Sequence, residues 1–255
     1  MKWWLKAIVQ KILSNIPFGE DINYWLQRNI THTYPISSAE LTWKCHDAIQ
    51  YKYLYETYAH RPFSSATILE IGGGRDLCMP LVFYLLGAKR IVVTDLYRQL
   101  KLDLLQDVFR RLQQQQYSWV RAFPFSNIQT ISSLKELGIE YLAPIDITRE
   151  FFTEKFQLVY SFSTLEHIGH EHLLPLLQRL HFLLHEDGLM IHTINLEDHY
   201  TYTDKTLSPY HFLRYASSTY RWINSSLHFQ NRLRLSDYLS IFEQAKFKLC
   251  WMDSK

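Results

Sequence analysis

Between Ser64 and about Ile194, short apolar runs alternate with amphipathic stretches. Ala66–Ile71 is a β-rich run that stops at glycines, and Leu77–Leu86 then reads as a helix. Arg90–Thr94 is a second strand closed by Asp95, followed by helical periodicity over Gln99–Gln116. Ile139–Ile145, closed by Asp146, and Phe156–Phe162 are the third and fourth strands. Glu166–His185 reads as a helix, Glu186-Asp187-Gly188 as a turn, and Leu189–Ile194 as a fifth strand. Strands alternating with helices predict a parallel sheet covered on both faces. The strands are continuous apolar runs, as expected where both faces are buried. The predicted class is therefore α/β: a Rossmann-like, doubly wound, mostly parallel sheet.

The flanks differ. In the first residues Trp4, Leu5, Ile8, Ile12 and Ile16 recur at helical spacing, with Lys2 and Lys6 on another face, and Pro17 and Gly19 end the element. A helix packed on the domain's own core is the preferred reading; the alternative is a helix of residues 1–16 resting on a membrane surface. Tyr24–Tyr58 predicts further helix, dense in aromatics. The predicted organisation is a helical extension or lid over 1–61 and a main domain over 62–255, in which 195–235 caps the carboxyl edge of the sheet. Ser236–Ala245 reads as a last helix, and Phe247–Trp251 leaves room for a sixth strand.

Composition narrows the function. The net charge is +2, with Lys and Arg nearly balanced by Asp and Glu, so no concentrated basic face for nucleic acid is expected. The three cysteines, Cys45, Cys78 and Cys250, are far apart and form no CxxC pair, which predicts a reducing, cytoplasmic compartment. No apolar run approaches the ~20 residues of a membrane-spanning helix.

The candidate chemistry begins at Glu70-Ile71-Gly72-Gly73-Gly74-Arg75-Asp76, between a strand and a helix. Glycines there let the backbone turn tightly and approach a ligand at the helix N-terminus. Counting from Gly72, the last position of a GxGxxG fingerprint is Leu77, which disfavours a dinucleotide pyrophosphate. Glu70 ahead of the glycines suits a cofactor bearing ammonium and sulfonium charge. Asp95 ends the second strand about 20 residues beyond the turn, where an acid accepts from ribose hydroxyls. Asp146, at the end of the third strand, can accept from an adenine amino group.

Together with Ile145-Asp146-Ile147, Phe156–Ser161, Leu165-Glu166-His167-Ile168 and Leu184–Gly188, these residues resemble the class I S-adenosylmethionine-dependent methyltransferases, and most the small-molecule branch with the LEHI signature. The resemblance covers about 64–194 and implies S-adenosyl-L-methionine as cofactor. It implies that Gly72, Gly73 and Gly74 contact the methionine part, that Asp95 and its neighbour Leu96 meet the ribose, that Asp146 and the Ile147 N–H read adenine, and that Ser161 lies beside the methyl donor. It also places an acceptor pocket around Tyr200, Tyr202, Tyr210, His211, Arg214, Tyr215, Tyr220 and Trp222. The family often has Asp at Gln157 and a small residue at Asp76, and its sheet usually closes with a sixth strand, for which Phe247–Trp251 leaves room, and an antiparallel seventh, which is expected to be missing here. The Asn/Asp-Pro-Pro-aromatic motif of base methylation is replaced by Ser161-Phe-Ser-Thr164, which argues against DNA.

The resemblance implies O- or N-methylation of a small-molecule acceptor, such as a glycan or lipid precursor. Proton removal from that acceptor would suit a histidine, with His167 the first candidate and His170 and His192 next. His167, His170 and His172 cluster near Glu166 and Glu171, but no distant partner with metal-ligand spacing is evident, so no metal site is expected. The competing functions are a non-catalytic methyltransferase-like binding module and a nicotinamide-dependent oxidoreductase on a similar sheet.

Overall fold

A computed structural model describes residues 2–115 and 117–253; Met1 and Gln116, at the ends of two predicted helices, lie outside the described residues. Five strands form the sheet: β1 (Thr67–Ile71), β2 (Arg90–Thr94), β3 (Ile139–Leu142), β4 (Phe156–Phe162) and β5 (Leu184–Thr193). Their order is β3-β2-β1-β4-β5, and every pair is parallel. β1 lies between β2 and β4, so the winding reverses there. In open α/β sheets the crevice at such a reversal, outside the carboxyl ends of the strands, is where ligands bind.

The pleat sends alternate side chains to opposite layers. Ile68 of β1, Ile91 and Val93 of β2 and Leu158 and Tyr160 of β4 pack with α3 (Ser38–Ala59), α4 (Cys78–Leu85) and α5 (Leu102–Gln114). Leu69 and Ile71, Val92 and Val159 pack on the other side with α6 (His170–Leu183) and α8 (Leu235–Gln244). Both faces are covered, as the continuous apolar runs required. The same parity decides two functional positions: Glu70 must face the α3/α4 layer and Ser161 the α6/α8 layer.

Several boundaries differ from the sequence reading. β3 stops at Leu142, short of Asp146, because Pro144 has no N–H with which to extend the ladder. The predicted turn 186–188 is absorbed into β5, whose register with β4 jumps from Phe156↔Leu184 to Leu158↔Leu189. The helix predicted from Glu166 begins at His170, after a single 3-10 turn over Leu165–His167. Phe247–Trp251 forms no sixth strand; Phe247 instead packs its ring against His181 and Phe242, at 5.1 and 6.3 Å between centroids. Among the described residues the sheet is wholly parallel, with no antiparallel strand.

The helical N-terminus comprises α1 (Trp3–Leu13), α2 (Gly19–Asn29) and α3. Leu41, Cys45, Ala48, Tyr51, Leu54 and Tyr55 of α3 belong to the same core as β1 and α4. The boundary at residue 61 therefore divides the sequence but not the core. α1 corrects the preferred reading of its apolar stripe. Its inward residues are Ala7, Gln10 and Leu13, whereas Trp4 is 51% and Ile12 58% exposed and Leu5, Ile8 and Ile16 also face outward. The reason lies in the partner surface. α1 docks on the 199–228 cap, where Trp3 meets the rings of Tyr200 (5.6 Å), His211 (4.9 Å) and Tyr215 (5.8 Å). Its backbone N–H also donates to Asp204.

Candidate active site

The glycine turn leaves β1 where the Gly72 N–H donates to the Thr94 carbonyl (2.8 Å). Gly72 (φ +78°) and Gly74 (φ +70°) take left-handed backbone that only glycine adopts without strain. The three glycines have separate reasons. A Cβ on Gly72 would meet Thr164 Cγ2 at 2.5 Å, and one on Gly73 would meet Val93 Cγ1 at 2.3 Å and Leu77 Cδ2 at 2.8 Å. At Gly74 a Cβ would meet nothing within 4 Å among the described residues, so this is the glycine that opens onto free space.

The N-terminal helices hold the turn from outside. Arg75 reaches Gln27 (3.0 Å) and pairs with Glu20, and its guanidinium stacks on Tyr24 and Tyr34, 5.3 and 5.2 Å from the ring centroids. Asp76, the departure from the family's small residue, accepts from the Cys78 N–H at the start of α4 (2.9 Å) and from Lys44 of α3 (3.4 Å). A charged side chain is tolerated there because it caps one helix and anchors another.

The three acids are placed differently. Glu70 is buried beneath the turn, not at its rim; burial holds its carboxyl well above the ordinary range, and the nearby Tyr160 hydroxyl partly offsets this. Enclosed there, it braces the turn from below, and its Oε2 has no partner among the described residues. Asp95 faces the Gly73 and Gly74 N–H groups and the Tyr141 hydroxyl, yet burial still lifts its pKa to about 7. Its Oδ2 is likewise unpartnered among the described residues. Leu96 next to it is exposed. Asp146 lies on the same edge, because the Ile145 N–H donates to the Asp95 carbonyl (2.9 Å). Its carboxylate accepts from the Thr148 hydroxyl (2.6 Å) and backbone N–H (3.0 Å) and pairs with Arg149, and these contacts lower its pKa. Ile147 is buried. A separate cavity of about 220 Å³ is lined by β2, β3 and residues 150–154 and by no residue of the glycine turn.

Across the crevice, Trp43 of α3 lies over Phe162 at the end of β4, 5.2 Å between centroids. Ser161 is fully buried and hydrogen-bonded to His192 Nδ1 (2.7 Å), and His192 stacks on Phe242. This pair sits inside the α6/α8 layer, as the pleat dictates. Burial alone drops the His192 pKa to about 3, so the ring stays neutral, suited to holding Ser161 rather than exchanging protons. His170 is exposed at the first residue of α6.

His167 is placed otherwise. Its Nδ1 meets the Phe229 carbonyl at 2.6 Å, which makes Nδ1 the donor and leaves the lone pair on Nε2. Next to it come Glu166, fully buried, and His199, whose ring centroid is 5.0 Å from that of His167. Burial raises the Glu166 pKa to about 7 and lowers that of His199 to about 3, with the neighbouring His167 and Lys6 adding to the latter. Thr164 joins this corner to the glycine turn, its hydroxyl lying 3.5 Å from the Gly72 carbonyl. The cap is stitched to the same corner: Asn231 N–H donates to the Glu166 carbonyl (2.7 Å), and its side chain to the carbonyls of Leu165 and Ile168 (2.9 Å each). The sequence put His199 beside the end of the fifth strand with an ambiguous role, and did not bring it to His167, because a whole helix and strand separate the two. Only its place just past a strand end signalled it. Lys6 of α1 was missed; its ammonium lies over the Tyr200 ring (5.8 Å), and burial lowers its pKa to about 8 against the pull of Asp198.

A family model described as "Methyltransferase domain" matches residues 49–249. The chain belongs to that methyltransferase family. Among solved structures, the plantazolicin methyltransferase BpumL in complex with SAH is 11% identical with a TM-score of 0.50, over 93% of this chain and 73% of that one. At that identity the likeness speaks for the fold. A putative methyltransferase from Bacillus halodurans C-125 is 18% identical (TM-score 0.45; 73% and 64% covered). The glycopeptide N-methyltransferase MtfA is 13% identical (TM-score 0.38; 58% and 52% covered), so this methyltransferase-family chain spans about half of MtfA's length. No curated protein matches it in sequence.

Proposed function

We propose that the chain transfers a methyl group from S-adenosyl-L-methionine to a hydroxyl or amine of a small-molecule acceptor. The observation that carries this reading is the junction at the β1–β4 reversal. There an open glycine, Gly74, and the unpartnered Asp95 carboxylate oxygen share one edge with Asp146. These residues fit the cofactor: a free acceptor oxygen suits a ribose diol, and the space beside Gly74 suits a close backbone approach. Gly72–Gly74 would hold the methionine part from above Glu70, Asp95 and Leu96 the ribose, and Asp146 and Ile147 the adenine, with Ser161 behind the donor. When bound, S-adenosylmethionine supplies an electrophilic methyl on its sulfonium. The protein's part is to position the acceptor in line and exclude water.

The acceptor would enter from the 195–235 cap, whose aromatic walls with polar tips suit a sugar, phenol or lipid headgroup. His167 is the first candidate to accept the acceptor's proton, since its Nε2 lone pair is free and it borders the cap. His170, exposed and without such a neighbourhood, is the weaker candidate, and His192 better fits a positioning role. Family membership speaks against the nicotinamide-dependent alternative. Incubation with methyl-labelled S-adenosylmethionine and a panel of hydroxyl and amine acceptors tests the reading. Label in an acceptor, with release of S-adenosylhomocysteine, supports it; cofactor binding with no transfer to any acceptor favours the non-catalytic module.

The outward stripe of α1 supports a second assignment, peripheral contact with the cytoplasmic membrane surface. Trp4, Leu5, Ile8 and Ile12 would enter the headgroup region, with exposed Lys2 at the rim facing anionic lipid. The free cysteines fit the reducing side of that membrane.

A further inference from the structure

We propose that Glu166, His167 and His199 form a binding site for a divalent transition-metal ion, of the Zn²⁺ or Co²⁺ type, on the acceptor side of the crevice. One ligand atom from each residue lies within 4.8 Å of the others. Two imidazoles and one carboxylate are a recurrent donor set for such ions, with a further position left for an exogenous oxygen.

Three features point to a cation rather than to a packing accident. First, the cluster leaves buried polar atoms unpaired. Glu166 is 1% and His199 8% exposed, and neither Glu166 Oε2 nor His199 Nε2 has a hydrogen-bond partner among the described residues. A buried polar atom left in that state costs about 1–3 kcal/mol, which a bound cation would offset. Second, the outer contacts are those of a prepared site. The Phe229 carbonyl fixes the His167 tautomer with Nε2 free to ligate, and the Asn195 N–H donates to Glu166 Oε1 (3.2 Å), leaving Oε2 for the ion. Third, the ligands come from two anchored places, the turn after β4 (Glu166, His167) and the segment after β5 (His199), and residues 229–231 of the cap hydrogen-bond to both. His228 stands beside His199, 6.2 Å between centroids, its Nε2 also unpartnered among the described residues.

The spacing of His167, His170 and His172 led to no metal site being expected; the proposed site instead joins His167 to Glu166 and to His199, which the fold brings in. The nearby Lys6 charge opposes a second cation, so Lys6→Met tightens the site. Placed between the glycine turn and the cap, the ion would bind an acceptor oxygen and orient it, and with His167 Nε2 on the ion that histidine would no longer take the acceptor's proton; this last part rests on the methyltransferase reading, whereas the metal site does not.

The test is a titration of the full-length, chelator-treated protein with Co²⁺, followed by visible absorption, with Zn²⁺ competition. The proposal expects one equivalent bound, displaced by Zn²⁺, and affinity lowered at least about tenfold in Glu166→Gln and His199→Gln. Glu166→Gln is isosteric and retains the Asn195 contact, so it reports even if His199→Gln fails to fold. An absence of binding to the wild type, or unchanged binding in Glu166→Gln, overturns the proposal. Calorimetry of the metal-free protein with S-adenosylhomocysteine reads the cofactor site separately, so loss of one assignment is distinguishable from loss of the other.

Discussion

Asp95 makes cofactor affinity depend on pH in a calculable way. Its carboxyl is buried and titrates near 7, well above an ordinary aspartate, because desolvation outweighs the donors of Gly73, Gly74 and Tyr141. A ribose diol donates to the ionised form. With a pKa of about 7, the ionised fraction climbs from about one tenth at pH 6 to about nine tenths at pH 8, so affinity should rise about tenfold, or about 1.4 kcal/mol. Calorimetry with S-adenosylhomocysteine across this range checks it, and binding at pH 6 should release a proton. Asp95→Asn should bind more weakly at pH 8 and lose the pH dependence. The ligand-free protein carries the opposite sign. The folded state holds this proton more tightly than the unfolded chain, so the contribution to stability is complete below the usual aspartate range and is lost as pH rises towards 7. Asp95→Asn should accordingly raise the melting temperature at pH 8 and leave it nearly unchanged near pH 4. Flat affinity between pH 6 and 8, or no stabilisation by Asn at pH 8, would refute the assignment of Asp95 to the ribose.

Other perturbations probe separate parts of the architecture. Gly73→Ala would force a methyl against Val93 and Leu77, so urea denaturation should show a loss of about 1–3 kcal/mol; a loss below half a kcal/mol contradicts the packing described. Arg75→Ala removes two ring contacts and the link to α2, and should speed proteolysis between α2 and α3 while weakening S-adenosylhomocysteine binding; unchanged cleavage would show that α2 does not hold the turn. Ile12→Glu places a charge in the exposed stripe of α1 and should abolish co-sedimentation with vesicles containing anionic phosphatidylglycerol. If the wild type does not sediment with them, the membrane assignment is lost.

The sheet was largely legible because buried parallel strands read as unbroken apolar runs, and the first three stop at a glycine or an acid in the sequence. Asp95 and Asp146 could be placed on one edge for the same reason. What escaped was set by tertiary partners. In α1 apolar residues occur on more than one side of the helix, so periodicity located the helix but not which side would dock, and the aromatic cap selected the face with Trp3, Ala7 and Gln10. Parity along β1 and β4, counted from the strand ends, would have shown that Glu70 and Ser161 point into opposite layers and not into the open crevice. The register jump in β5 depends on how β4 begins, and the Glu166–His199 approach on how the cap folds back. Neither leaves a local pattern.

The central claim is a crevice built for S-adenosylmethionine at the reversal of the sheet, and direct titration of the full chain with this cofactor tests it best. The prediction is one molecule bound per chain, with binding lost in Gly74→Val, whose side chain would occupy the open space beside the turn. Failure to bind S-adenosylmethionine or S-adenosylhomocysteine, or retention of a nicotinamide dinucleotide in their place, would contradict it.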